Sequence, residues 1–136
     1  MTHDAATIAR KLRAKGVELR EPASAEELKQ FEHDMGLTLD PFFRSLYSQF
    51  NGFMSADGDN SIELWPLERI QQEREESLEK GGERYFAFGD VMINAYYLMC
   101  CLARETAPIF YGGVEIEEAP TASKFFAKFI AGDYDF

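Results

Sequence analysis

Two histidines, two adjacent cysteines and a surplus of carboxylates are the groups in this 136-residue chain that could do chemistry. Nucleophilic catalysis needs a base to take the proton, and His3 and His33 are the only imidazoles. His3 lies close to the N-terminus. His33 sits between Glu32 and Asp34 in a stretch of helical spacing, and consecutive helical residues do not converge on one point. It reads as an exposed structural histidine. Cys100 and Cys101 are consecutive, so on a strand they point to opposite faces and cannot share a metal. They read as core thiols. Asp57, Asp59 and Asn60 around Gly58 loosely resemble a calcium loop, but the twelfth position from Asp57 is Glu68, beyond Trp65-Pro66. Gly81-Gly82 and Gly112-Gly113 lack the strand-before, helix-after setting of a phosphate-binding loop. No carboxylate pair is singled out for acid catalysis. The expectation is no catalytic residue, no metal, no cofactor and no enzyme.

What remains is a surface and the scaffold under it. Hydrophobic residues make up 46% of the chain, with 12 Phe and 6 Tyr, enough for a packed core without staples. Asp and Glu number 24 against 14 Lys and Arg, a net charge of −10. Phosphate binding depends on Lys and Arg, so nucleic acid and anionic membrane are not expected partners. The charge is uneven. Residues 1–50 carry 8 acidic and 7 basic side chains and residues 51–136 carry 16 and 7, which is −1 against −9. Two adjacent cysteines form no disulfide framework and suit a reducing compartment. The N-terminus does not read as a signal peptide and no apolar run is long enough to span a bilayer, so a cytoplasmic protein is expected.

The first half reads as helical. Ala5, Ile8, Ala9 and Leu12 share a face after a possible Asp4 cap, and Gly16 stops it. Ser24 and Glu27 fit a capping box ahead of Leu28, Phe31 and Met35, with Gly36 as the end. Asp40-Pro41 opens a third helix whose face is Phe43, Leu46, Tyr47 and Phe50, closed by Asn51-Gly52. From there turns and strands take over. Residues 55–61 form a polar loop, Ile62–Trp65 a short strand, and Pro66 opens a helix carrying Leu67 and Ile70. The charged stretch 71–83 is expected to continue that helix into a mobile connection. Tyr85–Phe88 resumes as strand. Val91–Ala103, apolar on both alternating sets except at Asn94, reads as one central strand, with a buried helix as the competing reading. Residues 108–116 read as a hairpin around Gly112-Gly113. Ala122, Phe125, Phe126, Phe129 and Ile130 mark a last helix ending near Gly132. One domain over residues 1–136 is expected, without repeats.

Taken as an ordered set, several of these pieces are more specific than any alone. Pro22-Ala-Ser24-Ala-Glu-Glu27-Leu28, Phe31-Glu32, Gly36-Leu37, Leu39, Pro41, Tyr47 and Asn51-Gly52 come first. Leu64-Trp65-Pro66-Leu67, Phe88-Gly89-Asp90, Ala122-Ser123, Phe125-Phe126 and Phe129-Ile130 follow. Together, over roughly residues 17–131, they resemble the SUKH superfamily of cell-wall-assembly-regulator and toxin-immunity domains. Two places depart from its pattern: Val91-Met-Ile follows Gly89-Asp90 where members often carry an acidic-glycine turn, and Asp40 splits the usual Leu-Pro pair. The resemblance implies an α+β domain, with N-terminal helices and a C-terminal helix packed on a mixed, mostly antiparallel sheet. It also implies non-enzymatic protein binding. Many bacterial members are similar to immunity proteins that block a cognate toxin, often a nuclease or deaminase; others look like regulatory or adaptor modules. The matched residues, Trp65 and Gly52 among them, read as fold-determining.

The expected function is therefore a monomeric immunity protein whose acidic surface occupies a cationic groove of its toxin. Asp57 and Asp59 in the polar loop, and Glu115, Glu117 and Glu118 at the hairpin edge, are the candidate partner-binding residues. Charges on a loop and an edge strand also serve simply to discourage aggregation. An adaptor module would share this surface. A small-ligand binder would instead use a pocket lined by Tyr96, Tyr97 or Tyr111.

Overall fold

Capping fixes where the helices begin. The computed structural model describes residues 4–55, 62–91, 96–111 and 117–131, with Ser55, Glu117 and Glu118 described by backbone alone. Asp4 accepts the amide proton of Thr7 and starts α1 (Ala5–Ala14), whose buried residues are Ala5, Ile8, Ala9 and Leu12. Ser24 and Glu27 close a full capping box on α2 (Ala25–Met35), which Gly36 ends in the left-handed conformation. Asp40 caps α3 (Pro41–Gln49), with Pro41 in its first turn, and Phe43, Leu46 and Tyr47 buried. These are the boundaries and faces read from the sequence. After α4 (Leu67–Gln72), the last described helix is α5 (Ala122–Ala131), and Lys15 donates to the Ile130 carbonyl near its end. A lysine at a helix C-terminus is favourable both as a donor and against the helix dipole.

The strands are β1 (Glu18–Leu19), β2 (Phe53–Ser55), β3 (Ile62–Leu64), β4 (Ser77–Lys80), β5 (Glu83–Val91), β6 (Tyr96–Cys100), β7 (Ile109–Tyr111) and β8 (Glu117–Ala119). They form one eight-stranded sheet in the order β1-β2-β3-β5-β6-β7-β8, with β4 also paired to β5. Every described pairing is antiparallel. The fold is α+β. Long β5 is the hub. Its first half pairs with β4 and its last three residues with β3, while β6 runs along residues 86–91. Ring contacts Phe53–Phe129 and Phe88–Phe125 dock α5 on the sheet, and the buried side chains form one continuous core.

Two expectations are corrected. Residues 71–83 do not extend a helix into a loose connection: α4 stops at Gln72, and β4 with the start of β5 makes a hairpin across Gly81-Gly82. Both glycines have positive φ, +61° and +80°, which suits the tight turns that match strand twist. Charge density had hidden a strand that needs only one half-buried apolar residue, Leu78. The stretch 91–103 is two strands rather than one, since β5 ends at Val91, β6 begins at Tyr96, and the two residues pair antiparallel. Apolarity on both faces carried no mark of the reversal. Of the hairpin read at 108–116, the first strand is β7, which pairs antiparallel with β8 at Glu117–Ala119, while its turn and second strand fall outside the described residues. Strands β1 and β2, too short for a periodic signal, had no counterpart in the reading. His3, the loop 56–61, Asn94, Gly112-Gly113, Val114–Ile116 and Gly132 lie outside the described residues.

Candidate functional site

The residues singled out by the sequence separate into a buried tie and an outer rim. Trp65, fully buried, is the centre of the tie. Its backbone amide donates to the Phe88 carbonyl at 2.9 Å and its indole Nε1–H to Asp90 Oδ2 at 2.6 Å. Tyr47, on α3, donates its hydroxyl to the Trp65 carbonyl at 3.0 Å. Asn51 Oδ1 accepts from the Leu67 amide at 2.9 Å, opening α4 where Pro66 offers no side-chain cap. Gly52 lies so close that a Cβ there would sit 2.6 Å from the Leu64 oxygen and 2.8 Å from the Pro66 nitrogen. Gly89 is similarly placed, 2.5 Å from the Glu63 oxygen. Arg69, from α4, lays its guanidinium 4.1 Å from the Trp65 ring centroid and bridges Glu63 at 3.3 Å and Asp90 at 3.8 Å. A carboxylate as buried as Asp90, 1% exposed, requires such donors.

These contacts join Tyr47, Asn51-Gly52, Leu64–Leu67 and Phe88–Asp90, segments far apart in sequence, into one structural unit. The resemblance read from the sequence draws on these same segments. The family model described as SMI1 / KNR4 family (SUKH-1) matches residues 22–131. The chain belongs to this SUKH family. The comparison with curated proteins finds no match for it. In this SUKH domain Tyr47, Asn51, Gly52 and Trp65 hold α3 and α4 to the sheet. Helix α1 and strand β1 precede the matched span.

No site of acid–base or thiol chemistry emerges from the described residues. The His33 side chain is 85% exposed, with its ring 3.5 Å from Asp34. Both thiols are buried; burial, then the neighbouring thiol, pushes Cys100 well up. Burial and the nearby Glu83 carboxylate also push Cys101 up, against two backbone amides. Among the described residues no group of three His, Cys, Asp or Glu could hold a metal. Nor is any described helix long and apolar enough to cross a membrane.

A concavity of about 470 Å3 lies between the end of α2 and the start of β5, with Met35, Leu37, Phe86 and Leu102 among its walls. Asp34, Glu75, Glu83, Arg74 and Arg84 border it with both signs of charge. Tyr96, Tyr97 and Tyr111 do not line it. Tyr97 stands edge-on to Trp65 at 5.2 Å, while Tyr96 and Tyr111 pair with each other at 5.8 Å.

The rim is defined by register. Ser55 pairs with Ile62, Ile62 with Val91, and Val91 with Tyr96; β7 ends at Tyr111, opposite Leu98, and β8 starts at Glu117, opposite Phe110. The strand ends flanking residues 56–61, 92–95 and 112–116 thus share one end of the sheet. Candidates Asp57, Asp59 and Glu115 lie outside the described residues, and Glu117 and Glu118 are described as β8 backbone only. The sequence reading had not seen that the strands flanking its two acidic segments meet at one end of a sheet. Only pairing carries that signal.

One carboxylate elsewhere is tied to a turn. Glu32, on α2, accepts from the Leu39 amide at 2.8 Å and pairs with Arg44 of α3. Burial raises its pKa, but the Leu39 hydrogen bond and Arg44 outweigh this and leave it below the ordinary 4.5. A depressed carboxylate contributes stability above its unfolded pKa and loses it as pH falls through the folded value. Glu32→Gln is therefore expected to lower the denaturant midpoint at neutral pH. That difference should shrink toward zero once the carboxylate is protonated, well below pH 4.5, as urea titrations at several pH values will read.

Proposed function

We propose that this SUKH domain is a non-enzymatic immunity protein of the cytoplasm. It binds a basic protein toxin, such as a nuclease or deaminase, through the acidic end of its sheet. Family membership supports the protein-binding role, and the −9 carried by residues 51–136 supports a cationic partner. The observation that carries the siting is the strand register. Asp57 and Asp59 belong to the segment joining Ser55 to Ile62, and Glu115 to the segment joining Tyr111 to Glu117; both segments attach at the same sheet end. In this reading the carboxylates of these segments steer a cationic groove into encounter and occupy its phosphate positions. The domain acts as a monomer in one-to-one complex.

The test is co-expression with the product of the neighbouring gene, read as rescue from toxicity, followed by binding kinetics on the purified pair. Reversing Glu115, Glu117 and Glu118 together to lysine is expected to slow association about tenfold or more at low salt. The gap should narrow as salt screens the field. Unchanged kinetics would remove these three residues from the interface. A neighbour that is not toxic, yet binds, would identify an adaptor instead.

A further inference from the structure

The hairpin across Gly81-Gly82 leaves one strand of the sheet half-paired. A two-residue hairpin closes on a hydrogen-bonded pair, here Lys80 with Glu83, and bonded and unbonded pairs then alternate. Leu78–Tyr85 is the next bonded pair. Glu76 and Ala87 follow, and there the Ala87 amide donates to the Glu76 carbonyl at 3.2 Å. By that alternation Ser77 and Glu79 turn their backbone N–H and C=O groups away from β5. Among the described strands with a single partner β4 is the longest, and that partner is β5. No other described residue takes up the outward groups of Ser77 and Glu79.

The side chains beside this edge select what can add to it. Glu75, Glu76 and Glu79 are exposed, and among the described residues none of the three carboxylates has a partner. The hairpin's own cations are turned onto the chain itself. Lys80 Nζ lies 5.1 Å from the Phe110 ring centroid, while Arg84 donates to Ser77 Oγ at 3.2 Å and lies over Phe86. Exposed edges are commonly guarded by charge, lysine above all, against pairing with a second copy. Here the guard is negative. Two β4 edges set side by side would bring the carboxylates of both copies together, and like charges across strands repel. A segment carrying lysine or arginine meets the reverse, favourable cross-strand pairs.

We propose that the outer edge of β4 is a strand-addition site for an extended, basic segment of a partner protein. The segment's backbone pairs with Ser77 and Glu79, and its cationic side chains meet Glu79 and the carboxylates next to it. The edge lies along the start of β5, at the end of that strand opposite Val91. It is therefore separate from the sheet end assigned to the toxin above, and it stands or falls without the immunity reading.

The probe is the end-capped peptide Lys-Val-Lys-Val-Lys-Val-Lys, titrated at low salt into the isotope-labelled full chain and followed by amide resonances. Saturable shifts are expected at residues 76–80, with β1 unmoved. The charge-matched peptide Lys-Pro-Lys-Pro-Lys-Pro-Lys cannot continue a ladder and should bind about tenfold more weakly or less. Glu79→Gln removes one carboxylate and is expected to weaken the first peptide about 2- to 5-fold. Glu79→Pro also removes an N–H that faces away from β5, so the hairpin keeps its bonds while binding falls about tenfold or more. Thermal unfolding checks that both variants fold; if Glu79→Pro does not, the two peptides decide alone. Equal binding of the two peptides, or equal losses for Glu79→Pro and Glu79→Gln, would reduce the contact to charge attraction and overturn strand addition. Absence of shifts at 76–80 would overturn it too. Shifts there on concentrating the chain alone would assign the edge to a second copy instead.

Discussion

Gly52→Ala is expected to destabilise the protein by about 3 kcal/mol or more, enough to leave much of it unfolded near 37 °C. Two costs combine. The residue has φ +93°, where an L side chain is strained by about 1–2 kcal/mol. Its new Cβ would also fall 2.6 Å from the Leu64 oxygen and 2.8 Å from the Pro66 nitrogen, both backbone atoms that cannot rotate away. Relief requires moving the β3–α4 corner, and that corner carries Trp65. Urea denaturation followed by tryptophan fluorescence reads the change directly, since Trp65 is the single tryptophan. A midpoint within error of the parent would mean the corner yields easily. The control is Gly36→Ala: it pays a similar backbone penalty with nothing within 4 Å of its Cβ, so it should lose only about 1 kcal/mol.

Trp65→Ala has a still larger expected effect, about 3–5 kcal/mol. It empties a fully buried site and deprives Asp90 of its 2.6 Å donor and Arg69 of its stacking surface. Trp65→Phe separates these contributions. Phenylalanine restores much of the volume but has no N–H, so the residual loss, about 1–3 kcal/mol, reports the hydrogen bond to a buried carboxylate. A double-mutant cycle with Asp90→Asn measures the coupling itself. If Trp65→Phe matched the parent in circular-dichroism melts, Asp90 would be satisfied without the indole.

Why some elements were legible follows from where their signals reside. Helices announce themselves locally. Asp4, Ser24 and Asp40 cap, Gly36 stops, and the spacing of Phe43, Leu46 and Tyr47 marks a face, so α1, α2 and α3 could be read before any contact was known. Strands here are two to five residues long, apart from β5, and their identity depends on partners. Val91 and Tyr96 looked continuous because both are apolar, yet they oppose each other across a hairpin. Charged residues 77–80 looked helical because a half-solvated strand needs little apolar content. Asn51-Gly52, Trp65 and Gly89-Asp90 were recognisable as family features. That they touch one another is a property of the tertiary arrangement, invisible along the chain.

The central position of β5 bears on how the protein emerges from the ribosome. Strands β3, β4 and β6 each pair with residues 83–91, and Trp65 docks onto Phe88 and Asp90. A nascent chain released only as far as Lys80 has most of its helices and the short β1–β2–β3 ladder, but not the strand that joins this ladder to β4 and β6. Productive collapse must therefore await synthesis of the second half, and until then the aromatic faces of α3 and β2 stay open to chaperones.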